Sequence, residues 1–356
     1  MKRKVAVAMS GGVDSATAAV LLKDKGDEVI GLTAQIWPSG KIGSPEKINN
    51  SKRVAAKLKI PHYVVDLKKL FEKRIIANFC QEYKKGKTPN PCIRCNKYIK
   101  FTALLKAAEK LGANYIATGH YAKVEYDKRR KRYLLKKGID AKKDQSYFLY
   151  KLSQEQLRHT LFPLGNYKKR DVKKIALSMN LPVAKEESQE ICFIPDNGYG
   201  EFIKNYSSEP IKVGRILDKK GNVLGEHQGI IFYTIGQRKG IKVASKKPLY
   251  VTVIDSEKNT IVVGRKEELF YQELIAEKLN FIATKELKKS LKVKAKIRYL
   301  HPLSEATIFP LNKTKVRVKF AESQWAITPG QSIVFYDGES VLGGGIISKT
   351  LLRERR

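Results

Sequence analysis

The chain has 356 residues, of which 42% are hydrophobic and 29% are charged, and these values exclude a wholly disordered protein. At roughly 150 residues per domain, the length predicts two or three domains. The 70 Lys and Arg residues against 35 Asp and Glu leave a net charge of +35, which favours a polyanionic partner such as nucleic acid over a general lysine bias. No apolar run approaches the ~20 residues of a membrane span, so we expect a cytoplasmic protein with no membrane partner.

The first half of the chain alternates between strand and helix patterns. Strands are predicted at 4–9, 29–34, 63–66 and 114–118, and helices at 14–25, 46–59, 68–84 and 95–111. Such alternation is typical of βαβ units and predicts an α/β fold with a parallel sheet. In the 68–84 helix, Cys80 falls on the apolar face, so we expect it to be a core residue.

The pattern changes after about residue 205, where Gly and β-branched residues become frequent. Short strands are predicted at 213–217, 230–234, 249–254, 260–263, 293–298, 306–309, 316–320, 332–336 and 344–348. We therefore predict three domains: a parallel-sheet domain at 1–205, a small β-rich domain at 206–274, and a second small β-rich domain at 275–356 that forms a β-barrel.

A glycine loop, residues 10–15 (SGGVDS), lies between the first predicted strand and helix. Glycines let backbone N–H groups approach phosphate closely, and the following helix N-terminus favours an anion. The Walker A pattern is absent. The loop instead resembles the signature of PP-loop ATP pyrophosphatases, which cleave ATP between the α and β phosphates. Asp14 is a candidate ligand for Mg²⁺ bound with pyrophosphate, and a structural capping role is the alternative.

Two cysteines follow a proline-rich approach, TPNPCIRC at 88–95. The prolines predict that the segment stays out of a helix until Cys95. Cys95 would then lie near a helix N-terminus, where the dipole and Arg94 favour a thiolate. Cys192 is distant along the chain, so spacing alone does not show that it meets Cys95. Structural zinc is disfavoured because a second C-x-x-C pair is missing.

Further motifs extend the pattern along the whole chain. The segments are 9–15, 86–101, 117–121, 143–150, 161–165, 191–194, 225–229, 234–240, 326–335 and 343–347. With these motifs in this order, the chain resembles the tRNA-specific 2-thiouridylase (MnmA) family. The resemblance implies an adenine nucleotide alpha hydrolase-like PP-loop domain and ATP-dependent sulfur insertion at C2 of the wobble uridine of tRNA.

The resemblance also assigns site residues. It implies ATP binding by Ala8, Met9, Ser10, Gly11, Gly12, Val13, Asp14, Ser15, Ala34 and Gly119. Cys95 and Cys192 correspond to the catalytic cysteines, and Cys192 to the one that carries persulfide sulfur. Contacts with tRNA are implied for Asn90, Pro91, Cys92, Lys143, Asp144, Gln145, Arg298 and Tyr299.

Two mechanisms of sulfur transfer stay open. Sulfur would come either from a persulfide on Cys192, released by a disulfide with Cys95, or from sulfide on a [4Fe–4S] cluster held by Cys92, Cys95 and Cys192. The persulfide route is the main prediction, and cysteine at position 92, where some family members have Asp, makes the cluster more plausible for this chain than for those relatives. The cofactors implied are ATP and Mg²⁺. The partners implied are tRNAs of the Lys, Glu and Gln type and an upstream sulfur carrier or cysteine desulfurase.

Other functions explain less of the sequence. A PP-loop synthetase for a small molecule accounts for the glycine loop but not for the paired cysteines or the charge. A non-catalytic RNA-binding protein leaves the loop unused. The basic segments 128–132 and 353–356 are candidate RNA contacts, with a solvated surface as the alternative. His120 is a candidate contact for ATP or substrate, or a supporting hydrogen-bonding residue.

Overall fold

A computed structural model describes residues 2–36, 45–183, 191–194 and 198–351. The N-terminal part contains β1 (Lys4–Ala8), α1 (Val13–Asp24), β2 (Glu28–Gln35), α2 (Pro45–Lys57), β3 (His62–Asp66), α3 (Lys68–Phe71), α4 (Ala77–Lys84), α5 (Pro91–Cys95), α6 (Leu105–Lys110), β4 (Tyr115–Ala117), β5 (Ala122–Asp127), β6 (Arg132–Lys137), α7 (Gln154–Arg158), β7 (Thr160–Leu161), α8 (Lys169–Ser178) and α9 (Tyr199–Tyr206). Two π-helical stretches, Glu72–Ile76 and Asn96–Leu104, continue α3 into α4 and α5 into α6.

The N-terminal strands form one parallel sheet in the order β3-β2-β1-β4-β7. The central strands β1 and β2 are buried along most of their length, because helices cover both faces of a parallel sheet. The predicted α/β fold is confirmed. In the described ranges, every helix is too short or too polar to cross a lipid bilayer.

The helix predicted at 95–111 begins earlier, at Pro91, so the predicted start is wrong. Proline fits the first helical position because its missing N–H has no partner there in any helix. Asn90 caps the helix, and its side-chain oxygen accepts a hydrogen bond from Ile93 N at 3.4 Å. Cys92 therefore lies in the first turn, and Cys95 lies where α5 passes into the π-helical stretch.

The second part of the chain is a four-stranded sheet. It contains β8 (Gly214–Leu217), β9 (Val223–His227), β10 (Tyr250–Asp255) and β11 (Thr260–Gly264), in the order β10-β11-β8-β9. The predicted strand at 230–234 is wrong, since Ile230–Phe232 form a short 3₁₀ turn whose isoleucines are buried. A short apolar run does not distinguish a strand from a buried turn.

The third part closes into a barrel of β12 (Phe270–Phe281), β13 (Leu291–Lys296), β14 (Ser304–Asn312), β15 (Lys315–Trp325), β16 (Ser332–Asp337) and β17 (Ser340–Leu351). Closure results because β12 pairs with both β15 and β17. The barrel prediction is confirmed, and β12 begins before the boundary predicted at 274. The hairpin β5–β6 pairs with β17, which ties the barrel to the N-terminal part.

All three parts meet at the approach to α5. Gln331 of the barrel donates hydrogen bonds to the carbonyl oxygens of Thr88 and Pro89, at 2.9 and 3.4 Å. Thr88 N donates to Pro329 O at 2.9 Å, and the Thr88 hydroxyl lies 3.4 Å from the hydroxyl of Thr234 in the second part. The segment that leads to Cys92 and Cys95 is thus held by both C-terminal parts.

Candidate active site

The glycine loop lies at the carboxyl end of β1, where parallel sheets bind ligands. Ser10 N donates to Ser15 Oγ at 3.2 Å, and Ser15 Oγ donates to Gly12 O at 3.1 Å. Gly11 has φ +76°, and a Cβ there would approach Lys47 O to 2.8 Å, so only glycine fits this turn. The backbone of the loop remains available to an anion at the N-terminus of α1.

Gly119 packs directly against the start of α1. A Cβ at this position would lie 2.7 Å from the Asp14 carbonyl carbon and 2.8 Å from Ser15 N. The turn after β4 therefore borders the glycine loop, which agrees with the expectation that both contribute to one nucleotide site.

Asp14 is held by two side chains that the sequence did not indicate. Lys169 Nζ lies 2.6 and 2.7 Å from the two carboxylate oxygens, and Tyr121 OH donates to Asp14 Oδ1 at 2.8 Å. Lys169 is only 7% exposed. The capping alternative for Asp14 is wrong, because the N-cap of α1 is Gly12 and no side chain caps this helix. The carboxylate is instead one half of an ion pair in which the lysine is buried and the Asp14 side chain is 34% exposed.

The remaining residues expected to bind ATP lie on neighbouring strands. Met9 N donates to Leu32 O at 2.7 Å, which continues the pairing of β1 with β2 beyond Ala8. Ala34, near the end of β2, packs against two hydrophobic clusters, one of which also contains Cys95 and Cys192. The edge of the sheet that carries the glycine loop therefore adjoins the cysteines.

Cys92, Cys95 and Cys192, here called the thiol site, come together from distant parts of the chain. Cys192 lies in a turn closed by Ile194 N donating to Ile191 O at 3.0 Å. The neighbouring Phe193 anchors this turn, with its ring 5.6 Å from that of Phe71 and 5.3 Å from those of Phe79 and Phe202. The four cysteines are free thiols, and Cys80 is a core residue as predicted.

Burial controls the charge state of the thiol site. It raises the pKa of Cys95 to about 11, with a further contribution from Cys92, and raises the pKa of Cys192 well above its usual range, with contributions from both other thiols. Burial also raises the pKa of Cys92. Lys100 opposes the effect on all three pKa values, but desolvation is the larger cause.

The predicted thiolate at Cys95 is therefore wrong for the protein without substrates. Cys95 is not at a helix N-terminus, and the Arg94 guanidinium turns away to donate to Arg74 O, at 3.1 Å from Nε and 3.0 Å from Nη2. A buried thiol without a paired cation stays protonated.

The described side chains give no evidence of a metal centre at the thiol site. Within residues 2–36, 45–183, 191–194 and 198–351, no three His, Cys, Asp or Glu side chains are grouped as a metal ion requires. The [4Fe–4S] alternative for Cys92, Cys95 and Cys192 therefore has no support from the geometry.

The residues expected to contact tRNA have different surroundings. Asn90 uses its side chain as the helix cap, and Pro91 is buried. Asp144 is 7% exposed and accepts hydrogen bonds from Gly138 N, Ser146 N and Ser146 Oγ, so it shapes its own loop from inside. Burial raises the pKa of Asp144. Lys143 and Gln145 are half-buried at the same loop.

Arg298 and Tyr299 join this loop to the barrel. The Arg298 guanidinium donates to Ala326 O at 3.2 Å and lies 5.4 Å from the centre of the Trp325 ring. The Tyr299 ring lies 4.4 Å from that of Phe148, three residues after Gln145. The two segments expected to contact tRNA, 143–145 and 298–299, therefore share one surface.

His120 is buried directly after Gly119 of the nucleotide site, and Lys100, which acts on the thiols, also acts on it. Its Nδ1 lies 2.7 Å from Thr118 Oγ1, and its ring packs against those of Phe101 and Phe162. Burial, followed by repulsion from Lys100, keeps its pKa well below the usual value, so the ring is neutral. These contacts favour the supporting role. The basic segment 128–132 forms the tip of the β5–β6 hairpin, and the segment 353–356 lies outside the described residues.

Several site residues gave no sequence signal. Lys169 contacts Asp14 from α8, and Tyr121 contacts it from the turn after β4. Lys100 acts on the thiols because it lies on the π-helical stretch that directly follows Cys95. Only the position of Tyr121 directly after the 117–120 motif could have suggested a role.

Comparison with known proteins agrees with this geometry. Residues 3–196 match the tRNA methyl transferase HUP domain, residues 200–265 the tRNA methyl transferase PRC-barrel domain, and residues 271–347 the aminomethyltransferase beta-barrel domain. A solved U34-tRNA thiolase, NcsA from Methanococcus maripaludis with its [4Fe–4S] cluster, is 17% identical over 54% of this chain and 61% of that one. Its TM-score of 0.36 is too low to bear on chemistry.

Curated relatives are much more similar. The tRNA-specific 2-thiouridylase MnmA 1 of Caldanaerobacter subterraneus subsp. tengcongensis is 54% identical over 98% of this chain and 99% of that protein. The tRNA-specific 2-thiouridylase MnmA of Acetivibrio thermocellus is 51% identical over 97% of this chain and 99% of that protein. At this identity, with a glycine loop beside paired cysteines, the chain belongs to the tRNA-specific 2-thiouridylase family.

Proposed function

We propose that the protein is a tRNA-uridine 2-sulfurtransferase that converts the wobble uridine at position 34 of tRNA into 2-thiouridine. The C2 carbonyl of uracil is flanked by two nitrogens and is a poor electrophile with a poor leaving group. Attack of its oxygen on the α-phosphorus of ATP forms an adenylate and releases pyrophosphate. Sulfur then displaces AMP. The observation that supports this most directly is that the glycine loop and the Cys95–Cys192 pair adjoin the same end of one sheet.

Two cysteines account for every bond that forms and breaks during sulfur transfer. The outer sulfur of a persulfide on Cys192 attacks C2, and AMP leaves. The Cys95 thiolate then attacks Cys192 Sγ, the S–S bond of the persulfide breaks, and 2-thiouridine is released. A disulfide between Cys95 and Cys192 remains. An external thiol reduces it, and a sulfur carrier or cysteine desulfurase reloads Cys192.

The glycine loop supports adenylation through fixed dipoles. Its N–H groups and the N-terminus of α1 stabilise charge that grows on the phosphates. Mg²⁺ bound with ATP would neutralise further phosphate charge. Because Lys169 already occupies the Asp14 carboxylate, we propose that such an ion is held mainly by the phosphates, and that Lys169 keeps Asp14 from repelling them.

The same proposal covers the site residues and partners that follow from family membership. We propose contacts of tRNAs of the Lys, Glu and Gln type with 90–92, 143–145 and 298–299, where Asp144 acts by shaping its loop. The target base must leave the anticodon stack to reach the thiol site. We also propose a cytoplasmic location and a division of the chain near residue 205 and before β12, which begins at Phe270.

The decisive experiment supplies ATP, a persulfide donor or sulfide, and unmodified tRNA, and then analyses wobble nucleosides by mass spectrometry. We expect 2-thiouridine with one AMP and one pyrophosphate per modified base, and no ATP turnover when tRNA is omitted. A small-molecule synthetase would release AMP and pyrophosphate without tRNA. Affinity for tRNA should fall steeply with salt, because phosphate contacts carry most of it.

A further inference from the structure

A group of cations surrounds Tyr98 on the surface next to Cys95. The guanidinium carbons of Arg94 and Arg74 lie 5.2 and 5.5 Å from the centre of the Tyr98 ring, and Lys97 Nζ lies 5.6 Å from it. Hydrogen bonds from Arg94 to the backbone carbonyl of Arg74 fix the Arg94 guanidinium against this helix. These residues come from the two π-containing helices that flank the thiol site.

Two further lysines complete the group from other elements. Asn280 Nδ2 donates to Tyr150 O at 2.6 Å and to Leu152 O at 3.1 Å, which binds the segment around Lys151 to strand β12. At this point the pairing of β12 with β17 is irregular, and Lys278 has φ +53°. A bulge that holds a non-glycine residue in the left-handed region redirects its side chain and is maintained only at a cost.

The group lacks matching negative charge. In the part of the chain that the structure describes, none of these five cations has an ion-pair partner, and Glu82 is the one carboxylate that acts on Arg94 and Lys151 from a distance. Burial, followed by repulsion from Lys97, Arg94 and Lys278, lowers the pKa of Lys151 to about 8. Positive groups held this close destabilise the protein unless an anion binds between them.

We infer that Arg74, Arg94, Lys97, Lys151 and Lys278 form a binding site for backbone phosphates of the substrate RNA, the Tyr98 cradle, next to the nucleotide that enters the thiol site. This inference rests on the proposed function. It identifies the residues that bind the RNA backbone beside the reacting base. None of the segments that family resemblance assigns to tRNA contains these residues.

RNA fits the cradle better than an acidic protein surface does. The cradle is adjacent in sequence to Cys95, so its ligand must lie within reach of the reacting base. Arg74, Arg94 and Lys97 lie around one aromatic ring, and Lys151 and Lys278 come from two further elements. Such an arrangement suits a flexible strand with a phosphate at each nucleotide and bases that can stack. A sulfur-donating protein is the other candidate occupant, and binding and rate measurements on cradle variants separate the two.

The test compares two double variants with a matched control. Lys97→Ala/Lys151→Ala and the exposed pair Arg74→Ala/Lys278→Ala each remove two charges from the cradle, and Lys219→Ala/Lys220→Ala removes two from a turn of the second part. Dissociation constants for an unmodified tRNA transcript are measured between about 50 and 200 mM KCl. Each cradle variant should bind about tenfold more weakly at the lower salt, and its log–log salt slope should decrease by about 2.

Each other outcome has a defined meaning. If wild-type protein binds and thiolates the transcript while both cradle variants match the control in affinity and slope, the inference is overturned and the proposed function stands. If the cradle variants keep their affinity but lose rate with a protein sulfur donor and not with sulfide, the cradle binds the donor, and the RNA assignment is overturned. If wild-type protein does not thiolate tRNA, the proposed function itself fails.

Discussion

The glycine loop holds its shape through hydrogen bonds among Ser10, Gly12 and Ser15, whereas the thiol site requires a turn at Cys192 to dock onto helices more than a hundred positions earlier. The first needs β1 and α1, supported by Gly119, Tyr121 and Lys169 of the same N-terminal part. The second needs the aromatic contacts of Phe193, and its approach segment is held by the second and third parts of the chain. Nucleotide binding should therefore tolerate changes in the C-terminal parts better than sulfur transfer does.

The two regions also differ in electrostatics. Asp14 of the loop has a cation at hydrogen-bond distance, so its charge is compensated before ATP arrives. The thiols are buried, and Lys100 only partly offsets the cost of ionising them. The nucleotide site is ready for an anion, whereas the thiol site keeps its nucleophiles protonated until substrates change their surroundings.

The largest expected effect is a loss of sulfur transfer with no change in nucleotide binding. Cys95→Ser and Cys192→Ser should each abolish 2-thiouridine formation while tRNA and ATP binding persist, because serine supplies no sulfur nucleophile. Nucleoside mass spectrometry and equilibrium binding measure the two properties. Cys80→Ala is the matched control, since it removes a thiol from the core alone and should keep activity. Continued thiolation by Cys95→Ser would remove Cys95 from the mechanism.

The thiol pKa values can be tested by alkylation. With the pKa of Cys95 near 11, its thiolate fraction near neutral pH is on the order of 100-fold below that of an exposed thiol, and it rises about tenfold per pH unit until pH 11. Iodoacetamide labelling followed by peptide mass spectrometry gives the rate. Lys100→Met should slow labelling further, because it removes the charge that favours the thiolate. A rate that levels off near pH 8 would contradict the dominant effect of burial.

The ion pair below the glycine loop should contribute an intermediate effect. Lys169→Met leaves the Asp14 carboxylate beside an apolar side chain, which should lower the free energy of unfolding by about 2–3 kcal/mol and raise the KM for ATP about tenfold. Lys174→Met, on an exposed position of the same helix, is the control. The double variant Asp14→Asn/Lys169→Met should recover part of the stability. Denaturant titration and ATP kinetics that match the control would rule out this role.

The smallest effect concerns the link between the barrel and the thiol site. Gln331→Ala removes the donor to Thr88 O and Pro89 O, which should cost about 1 kcal/mol and change the thiolation rate a few-fold while ATP affinity stays constant. Gln331→Glu keeps the size but not the donor, and it should have at least the same effect. If ATP affinity falls as much as thiolation does, the two regions are not as independent as described.

Sequence reasoning succeeded where structure is local. The strands and helices around the glycine loop follow from apolar patterns and glycine positions, and those predictions agree with β1, α1 and β2 to within a few residues. It fails at Cys95, because a proline-rich segment predicts a delayed helix, whereas Pro91 begins the helix. It also missed β12, whose burial pattern is set by two barrel neighbours and not by regular alternation.

The sequence by itself determined the α/β and barrel architecture, the glycine loop and the cysteines expected to carry sulfur. Each of these features follows from a pattern of residues that are close together in the chain. Only the tertiary structure decided that Lys169 and Tyr121 hold Asp14, that Arg94 turns away from Cys95, and that Arg74 joins Arg94 beside Tyr98. The physical reason is that charge and desolvation act through space. The partners of a buried group come from whichever elements pack around it, and no spacing along the chain records them.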